Sequence, residues 1–242
     1  MQIVELQFDS IDSTQSYAKR EVDTFAADQM TCIIAEEQTK GHGRLQRTWV
    51  SPKGVNLYVT FCFRLPITTK HLGSLAIVMA YSLSSLLLKE KLHPKIKWPN
   101  DIQIGGKKVA GVLAETVFHK NSVQIFLGIG INVNMGKEDL DRIDQPATSL
   151  KKETHRSWDR SSFLKQLEER FLQDLDRFQK GGFTSFHQAV DALLAYRGEK
   201  VRCFDGKQTW EGICESLGED GRLNLRLENG TLQQLFAGDI TK

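Results

Sequence analysis

Residues Ser122–Asn134 read SVQIFLGIGINVN, and their alternation decides the fold. Successive side chains of a strand point to opposite faces. Val123, Ile125, Leu127, Ile129, Ile131 and Val133 therefore make one apolar face, and Gln124, Phe126, Gly128, Gly130, Asn132 and Asn134 make the other. The first face is core. The second carries two glycines, which within a strand mark close approach by a ligand or another backbone. No glycine-started helix follows, so this is no dinucleotide-binding fingerprint. No G-x-x-x-x-G-K-[ST] phosphate loop occurs in the chain either.

Working outward, Gln2–Phe8, Thr31–Glu37 and Asn56–Leu65 read as further strands. Leu57, Val59, Phe61 and Phe63 share one face of the third. Asp12, with Gln15 three residues on, has a capping-box arrangement and predicts a helix to about Phe25. Lys70–Lys91 is a long helix with Leu72, Leu75, Ala76, Met79, Leu83 and Leu86 at core spacing. Residues 95–118 read KIKWPNDIQIGGKKVAGVLAETVF. Pro99 breaks regular structure at Trp98, and Gly105-Gly106 closes a hairpin. In the strand that follows, simple alternation puts Lys108 on one side with Ala110, Val112 and Ala114, as a ligand bed. Pro146–Thr154 reads as loop. Ser161 starts a helix that buries Phe163, Leu167, Phe171, Leu175 and Phe178 and stops at Gly181-Gly182. Phe183–Tyr196 is a shorter helix. From Arg197, short strands punctuated by Asp205-Gly206, Asp220-Gly221 and Asn229-Gly230 predict a small C-terminal β-barrel. The expected class is α/β (α+β): a mostly antiparallel sheet with helices on one face, residues 1–196 forming the catalytic domain and 197–242 the barrel.

Composition limits the alternatives. The 242 residues carry a net charge of only +2, which gives no global pull toward nucleic acid or an anionic membrane. Cys32, Cys62, Cys203 and Cys214 include no C-x-x-C pair, and the six histidines have no metal-ligand spacing. Cys32 and Cys62 fit core filler. No signal peptide is visible and no apolar run is read as reaching the ~18 residues a membrane span needs, so a cytoplasmic protein with reduced thiols is expected.

Local chemistry gathers in four places. Glu36–Ser51, EEQTKGHGRLQRTWVS, sets Gly41 and Gly43 among Lys40, His42, Arg44 and Arg47. Freed backbone amides and cations suit an anion such as phosphate; the other reading is a solvated basic loop. Ser13, Thr14 and Gln15 stand at a helix start, where unpaired amides bind carboxylate or urea-like groups; alternatively they only begin the helix. Lys108 either meets a negative ligand or snorkels to water. Gly128 to Asn132 form the floor. Convergence of all four on one sheet face favours a binding site over four separate structural accidents.

These segments resemble those of the biotin–protein ligases, also called biotin–[acetyl-CoA-carboxylase] ligases. DSTQ (Asp12–Gln15), QTKGHGRLQRTW (Gln38–Trp49), KWPND (Lys97–Asp101), GGKKVAGVLAE (Gly105–Glu115) and LGIGINVN (Leu127–Asn134) occur in the family's order. The resemblance implies a core like that of class II aminoacyl-tRNA synthetases and an enzyme that forms biotinyl-5′-AMP from biotin and ATP, with Mg²⁺. Biotin then passes to a lysine of the biotin carboxyl carrier protein of acetyl-CoA carboxylase. By motif position, Ser13, Thr14, Gln15 and Gln38 should hold the ureido ring. Gly41, His42, Gly43 and Arg44 should close over carboxylate and phosphate. Lys108 and Arg44 should be catalytic, with Lys108 neutralising the acyl-phosphate. Trp49 and Asn132 should face adenine, and Lys97, Asn100 and Asp101 the triphosphate and metal. Arg47, Gly111, Gly128 and Gly130 complete the expected binding set.

His42 stands where the family usually has an arginine. Too few residues precede Ser13 for a winged helix, so gene repression by that route is not expected; nor are nucleic-acid or membrane partners, and the chain should be a monomer or homodimer. The rivals are a lipoate–protein ligase, over which the complete basic loop and the C-terminal β-domain favour biotin, and a non-catalytic phosphate- or RNA-binding protein. Against the latter, no stacking aromatics interleave the basic residues.

Overall fold

The alternating stretch becomes β7 (Ser122–Ile131), the middle strand of a seven-stranded sheet. The structure is a computed structural model describing Met1–Lys242. Before it come β1 (Ile3–Phe8), α1 (Thr14–Arg20), β2 (Met30–Ala35), β3 (Leu57–Pro66), α2 (Leu75–Lys89), β4 (Pro94–Lys97), β5 (Asp101–Ile104) and β6 (Lys107–Phe118). After it come α3 (Lys137–Leu140), α4 (Leu150–Thr154), α5 (Arg160–Gly181) and α6 (His187–Ala192). The C-terminal strands are β8 (Lys200–Phe204), β9 (Thr209–Leu217), β10 (Leu223–Arg226), β11 (Leu232–Leu235) and β12 (Asp239–Thr241). The large sheet has the order β1-β2-β3-β7-β6-β5-β4, with β1 and β2 parallel and every other pair antiparallel.

One face of this sheet is dry. Val123, Ile125, Leu127, Ile129 and Ile131 meet Leu57, Val59, Phe61 and Phe63 beneath α2 and α5 in one apolar cluster. Phe171 of α5 lies 5.4 Å from Phe61 between ring centroids, tilted against it. By length and composition Leu72–Lys89 could cross a membrane, with a mean hydropathy of 1.6 over 18 residues. It is two-thirds buried instead (67%), as a helix packed on several sides in a protein core must be. The other face carries only α1, which seals Ala18 against Ile33, Cys62 and Phe126 and leaves the remainder open as a cleft.

Several local expectations are corrected. Ser13, not Asp12, caps α1: its backbone is extended and its side chain accepts from the Ser16 amide at 3.4 Å. Asp12 is drawn away by Arg20, 3.1 Å distant. The helix ends at Arg20, with only a single 3-10 turn over Val22–Thr24 before Phe25. β-branched Val22 and Thr24 are weak helix formers. Pro146–Thr154 is not all loop, because Ser149 caps the five-residue α4 by accepting from the Lys152 amide at 3.2 Å. Ser149→Ala should cost about 1 kcal/mol, the usual loss for a removed cap, seen as a lower urea midpoint with an unchanged slope.

The largest local correction concerns Lys108. Gln103 pairs with Lys108 but Ile102 pairs with Ala110, so a bulge in β6 absorbs one residue. A one-residue shift sends side chains to the opposite face. Ala110, Val112 and Ala114 therefore pack into the core, whereas Lys108 shares the open face with Gly111. The ligand bed lies beneath the glycines, not beside the alanines.

The C-terminal strands form an open five-stranded antiparallel sheet, β11-β10-β9-β8-β12, rather than a closed barrel. Its glycine turns are as expected, with Gly206, Gly221 and Gly230 all at positive φ. The reason it stays open is burial on one side. Val201, Cys203, Cys214, Leu223, Leu225 and Ile240 join the same 51-residue cluster as the large sheet, leaving no separate interior to close around. All four cysteines are buried and free, and burial pushes the Cys62 thiol up to about 12.

Candidate functional site

One end of the cleft is a connected polar wall. The Thr14 amide and hydroxyl donate to Gln38 Oε1 at 2.9 and 3.2 Å, and Gln38 Nε2 donates to Ser51 Oγ at 3.1 Å. The Thr60 hydroxyl lies 3.0 Å from Thr14 Oγ1 and 3.1 Å from Gln15 Oε1. Gln15 Nε2 donates to Glu115 Oε2 at 2.9 Å and to the Phe126 carbonyl at 3.1 Å. Ser13, Thr14, Gln15 and Thr60 are each at most 4% exposed, so these partners are fixed rather than shared with water. Gln15 shows the cleft an acceptor, while the Gln38 amide keeps one hydrogen not used by Ser51. A cyclic urea needs both kinds of partner.

The floor is bare backbone. A Cβ on Gly128 would stand 2.7 Å from Gln15 Oε1, and one on Gly130 would stand 2.4 Å from Trp49 Cε2. A Cβ on Gly111 would come within 2.9 Å of Lys108 Cε. Trp49 thus lies flat on the floor, and the Lys108 ammonium sits 5.1 Å from its ring centroid. Two buried polar atoms here have no partner: the donor Trp49 Nε1 and the acceptor Asn132 Oδ1. Buried groups left unpaired in this way are costly and rare. Trp49 lines the cleft over Gly130, whereas Asn132 follows the end of β7 and lies behind the lining.

Lys108 is held from two directions. Its amide donates to the Pro146 carbonyl at 2.8 Å, and its carbonyl accepts from the Thr148 amide at 2.9 Å. Its ammonium is 2.7 Å from Asp101 Oδ1, with both side chains 15% exposed. Asn100 belongs to the same turn and donates to the Val112 carbonyl at 2.6 Å.

The basic loop is a small hairpin folded over this cleft. Gly43 donates to the Arg47 carbonyl at 2.8 Å and Trp49 to the Gly41 carbonyl at 2.9 Å. Leu45 and Gln46 turn its tip at positive φ, with Leu45 72% exposed. The loop is tied to the C-terminal sheet. Arg44 Nη1 donates to the Gly238 carbonyl at 2.9 Å, and Arg47 Nη2 meets Asp239 Oδ2 at 2.5 Å. The cleft and its open mouth enclose about 850 Å³.

Residues 7–132, more than half of the chain, match the Biotin/lipoate A/B protein ligase family. The chain belongs to that family. Curated relatives include the Bifunctional ligase/repressor BirA of Bacillus spizizenii, 28% identical over 235 residues that cover 96% of this chain and 72% of the relative. The Biotin–[acetyl-CoA-carboxylase] ligase of Paracoccus denitrificans is 32% identical over 201 residues, or 80% of this chain and 83% of the relative. A solved structure, Biotin protein ligase from Aquifex aeolicus in complex with biotin and ATP, superposes with a TM-score of 0.80 at 29% identity, covering 98% and 97% of the two chains. Within the family the chain stands as a biotin–protein ligase.

The biotin–protein ligase cleft gathers most of the residues singled out in the sequence. Ser13, Thr14, Gln15, Gln38, His42, Gly43, Arg44, Arg47 and Trp49 line it, together with Asn100, Asp101, Lys108, Gly111, Gly128 and Gly130. Three do not. Gly41 is buried behind the loop, where a Cβ would stand 2.7 Å from Ser51 Oγ. Lys97 points to Asp239, 3.8 Å away. Asn132 turns its Nδ2 onto the Thr148 carbonyl at 3.1 Å, and only its unpartnered Oδ1 remains for a ligand. His42 curls back on its own loop, with Nδ1 3.3 Å from the Lys40 carbonyl.

Sequence reasoning missed Thr60, Glu115, Gln145 and Asp239. Thr60 had a signal, being a polar residue in the middle of an otherwise apolar strand. Asp239 had none, because it reaches Arg47 across most of the chain.

Proposed function

We propose that this chain activates biotin with ATP as biotinyl-5′-AMP and transfers the biotin to a lysine of the biotin carboxyl carrier protein of acetyl-CoA carboxylase. One observation carries the reading: Lys108 stands over Gly111 beside a floor continued by Gly128 and Gly130, between a wall that complements a urea ring and a loop that supplies two arginines. A biotin laid on the floor with its ring at Gln15 and Gln38 brings its carboxylate toward Lys108. ATP then occupies the side of Trp49 Nε1, whose missing partner a purine edge can supply.

A biotin carboxylate oxygen attacks the α-phosphorus, and pyrophosphate leaves. The acceptor lysine amine next attacks the acyl carbon, AMP leaves, and an amide forms as the amine loses its proton. Neither step needs a side-chain nucleophile. The work is to bring two anions together and neutralise them, through positioning and preset charge. Lys108 is already oriented by Asp101, so little reorganisation remains. Mg²⁺ would be held chiefly by the triphosphate and would help neutralise it: no group of three or more His, Cys, Asp or Glu residues able to hold a metal is present, and the cleft carboxylates Asp101 and Asp239 are engaged by cations. Magnesium characteristically uses few carboxylates together with substrate phosphates. Residues 1–196 supply the chemistry, and 197–242 support it through Gly238 and Asp239.

Incubating the chain with biotin, ATP, Mg²⁺ and a carrier domain, followed by mass spectrometry of the carrier, tests the reading. A singly biotinylated carrier and released pyrophosphate are expected, with biotin outcompeting lipoate. Pyrophosphate release with lipoate alone would reassign the substrate, and none with either would leave a binder. Arg44→Gly removes the loop's tie to the Gly238 carbonyl, so biotinyl-5′-AMP should dissociate about tenfold faster, as expected for one lost charge-assisted hydrogen bond. A dissociation rate equal to the parent's would count against loop closure as the means of retaining the adenylate.

A further inference from the structure

Glu115 lies outside the expected binding set, yet it ends a chain of contacts that reaches the cleft. Lys19 Nζ donates to Glu115 Oε1 at 2.7 Å, and Gln15 Nε2 donates to Glu115 Oε2 at 2.9 Å. The second hydrogen of Gln15 Nε2 goes to the Phe126 carbonyl at 3.1 Å. Both partners of that nitrogen are acceptors only, since a carboxylate and a backbone carbonyl have no hydrogen to give. The Gln15 amide therefore has one orientation, with its oxygen over Gly128 and into the cleft. Turning it round would set oxygen against two oxygens and face the cleft with an NH₂.

We infer that Glu115 is a positioning residue that sets ligand specificity by locking the Gln15 carbonyl toward the cleft, so that this end of the site accepts from an N–H donor. The inference rests on the biotin reading and extends it, because an N–H donor at this wall is what a ureido ring offers and a dithiolane or alkyl chain does not. Sites built around a buried hydrogen-bonding group reject analogues lacking the complementary group far more strongly than apolar pockets reject a missing methylene. Burial raises the Glu115 carboxyl, but hydrogen bonds from Lys19 and Gln15 outweigh it and keep the group below its usual range. Glu115 is thus ionised, and an acceptor, through the neutral range.

Glu115→Gln tests this with little change of shape. A glutamine can donate where glutamate cannot, so one of the two acceptors that hold the Gln15 amide is lost and only the Phe126 carbonyl still opposes its turning. The measured quantity is the affinity of biotin relative to its two carbamate analogues, each with one ring N–H replaced by oxygen, from competition against labelled biotin. The parent should prefer biotin strongly over the analogue altered at the Gln15 side. The variant should narrow that ratio at least about tenfold, the value of one buried hydrogen bond gained or lost. A merely structural role would weaken all three compounds together and leave the ratio unchanged, which would overturn the proposal. If Glu115→Gln does not fold, Lys19→Gln removes the bond that pins the other carboxylate oxygen and lets Glu115 swing away from Gln15, so it should narrow the same ratio to a smaller extent, and an unchanged ratio there overturns it equally. A parent that binds no biotin removes the ligase reading and this proposal together, whereas a parent that binds biotin beside a variant with the parental ratio removes only the role of Glu115.

Discussion

Lys108→Ala should abolish biotin- and ATP-dependent pyrophosphate release while leaving the thermal midpoint within a few degrees of the parent. The ammonium is the one cation fixed over the glycine floor, and its carboxylate partner, Asp101, would be left facing the incoming anions. Removing a single preorganised charge from such a site costs about 10²–10³-fold in rate. Two things protect the fold. The backbone of residue 108 keeps its bonds to Pro146 and Thr148, and the side chain contributes nothing to the apolar cluster. Lys108→Arg should not restore the rate, because the bulkier fork would have to share the space above Gly111, where the lysine Cε already lies 2.9 Å from a would-be Cβ. Adenylate made at the parental rate by Lys108→Ala would remove the lysine from the chemistry. Lost activity with a collapsed midpoint would show a structural residue instead.

Gly130→Val should be the most damaging change to binding. A Cβ here falls 2.4–2.6 Å from three atoms of the Trp49 indole, so the ring cannot stay where it is. Trp49 ends the return strand of the basic hairpin, bonded to Gly41, and displacing it unseats the loop that carries Arg44 and Arg47. Overpacking a fitted site costs about 1–3 kcal/mol, or roughly 5- to 150-fold in affinity. The valine itself suits a strand and lies on the open face, so the β7 ladder should remain. Calorimetry with biotin and with ATP separates the consequences. The nucleotide side, beneath Trp49, should lose more than the ureido wall near Gly128. Equal binding of both ligands by the variant would mean that the indole leaves the floor whenever ligand enters.

The site was legible where a residue type is unusual for its element. Two glycines on one face of a strand, a lysine just after a hairpin, and cations packed around Gly41 and Gly43 each depart from what a strand or loop needs for itself. That is why Arg44, Lys108, Gly128 and Gly130 stand out in the sequence, with Gln15 drawn from a helix start and Gln38 from the motif resemblance, and all six line one cleft. The errors fall where a local rule meets a tertiary choice. Asp12 and Ser13 are both competent caps, and the choice between them was made by Arg20 claiming the aspartate. Alternation along β6 was sound until the bulge at Lys108 shifted it by one residue. Turn signals in the last strands announced hairpins correctly, but a hairpin signal says nothing about whether the resulting sheet closes.

What the sequence determined by itself is the periodic content: an antiparallel sheet with one dry face, helices to cover it, and a glycine-floored face left for a ligand. Those features follow from side-chain spacing along a single element, and no other part of the chain is needed to read them. Only the tertiary structure decided that Lys108 faces the glycines, that Gln15 turns its oxygen to the cleft under the hold of Glu115, and that Asp239 receives Arg47 of the loop. The first is set by a bulge in β6, and the other two are contacts between residues far apart in the chain, one pair nearly two hundred positions apart. Their geometry is fixed by sheet register and by which buried polar groups find partners, and neither is written in local spacing.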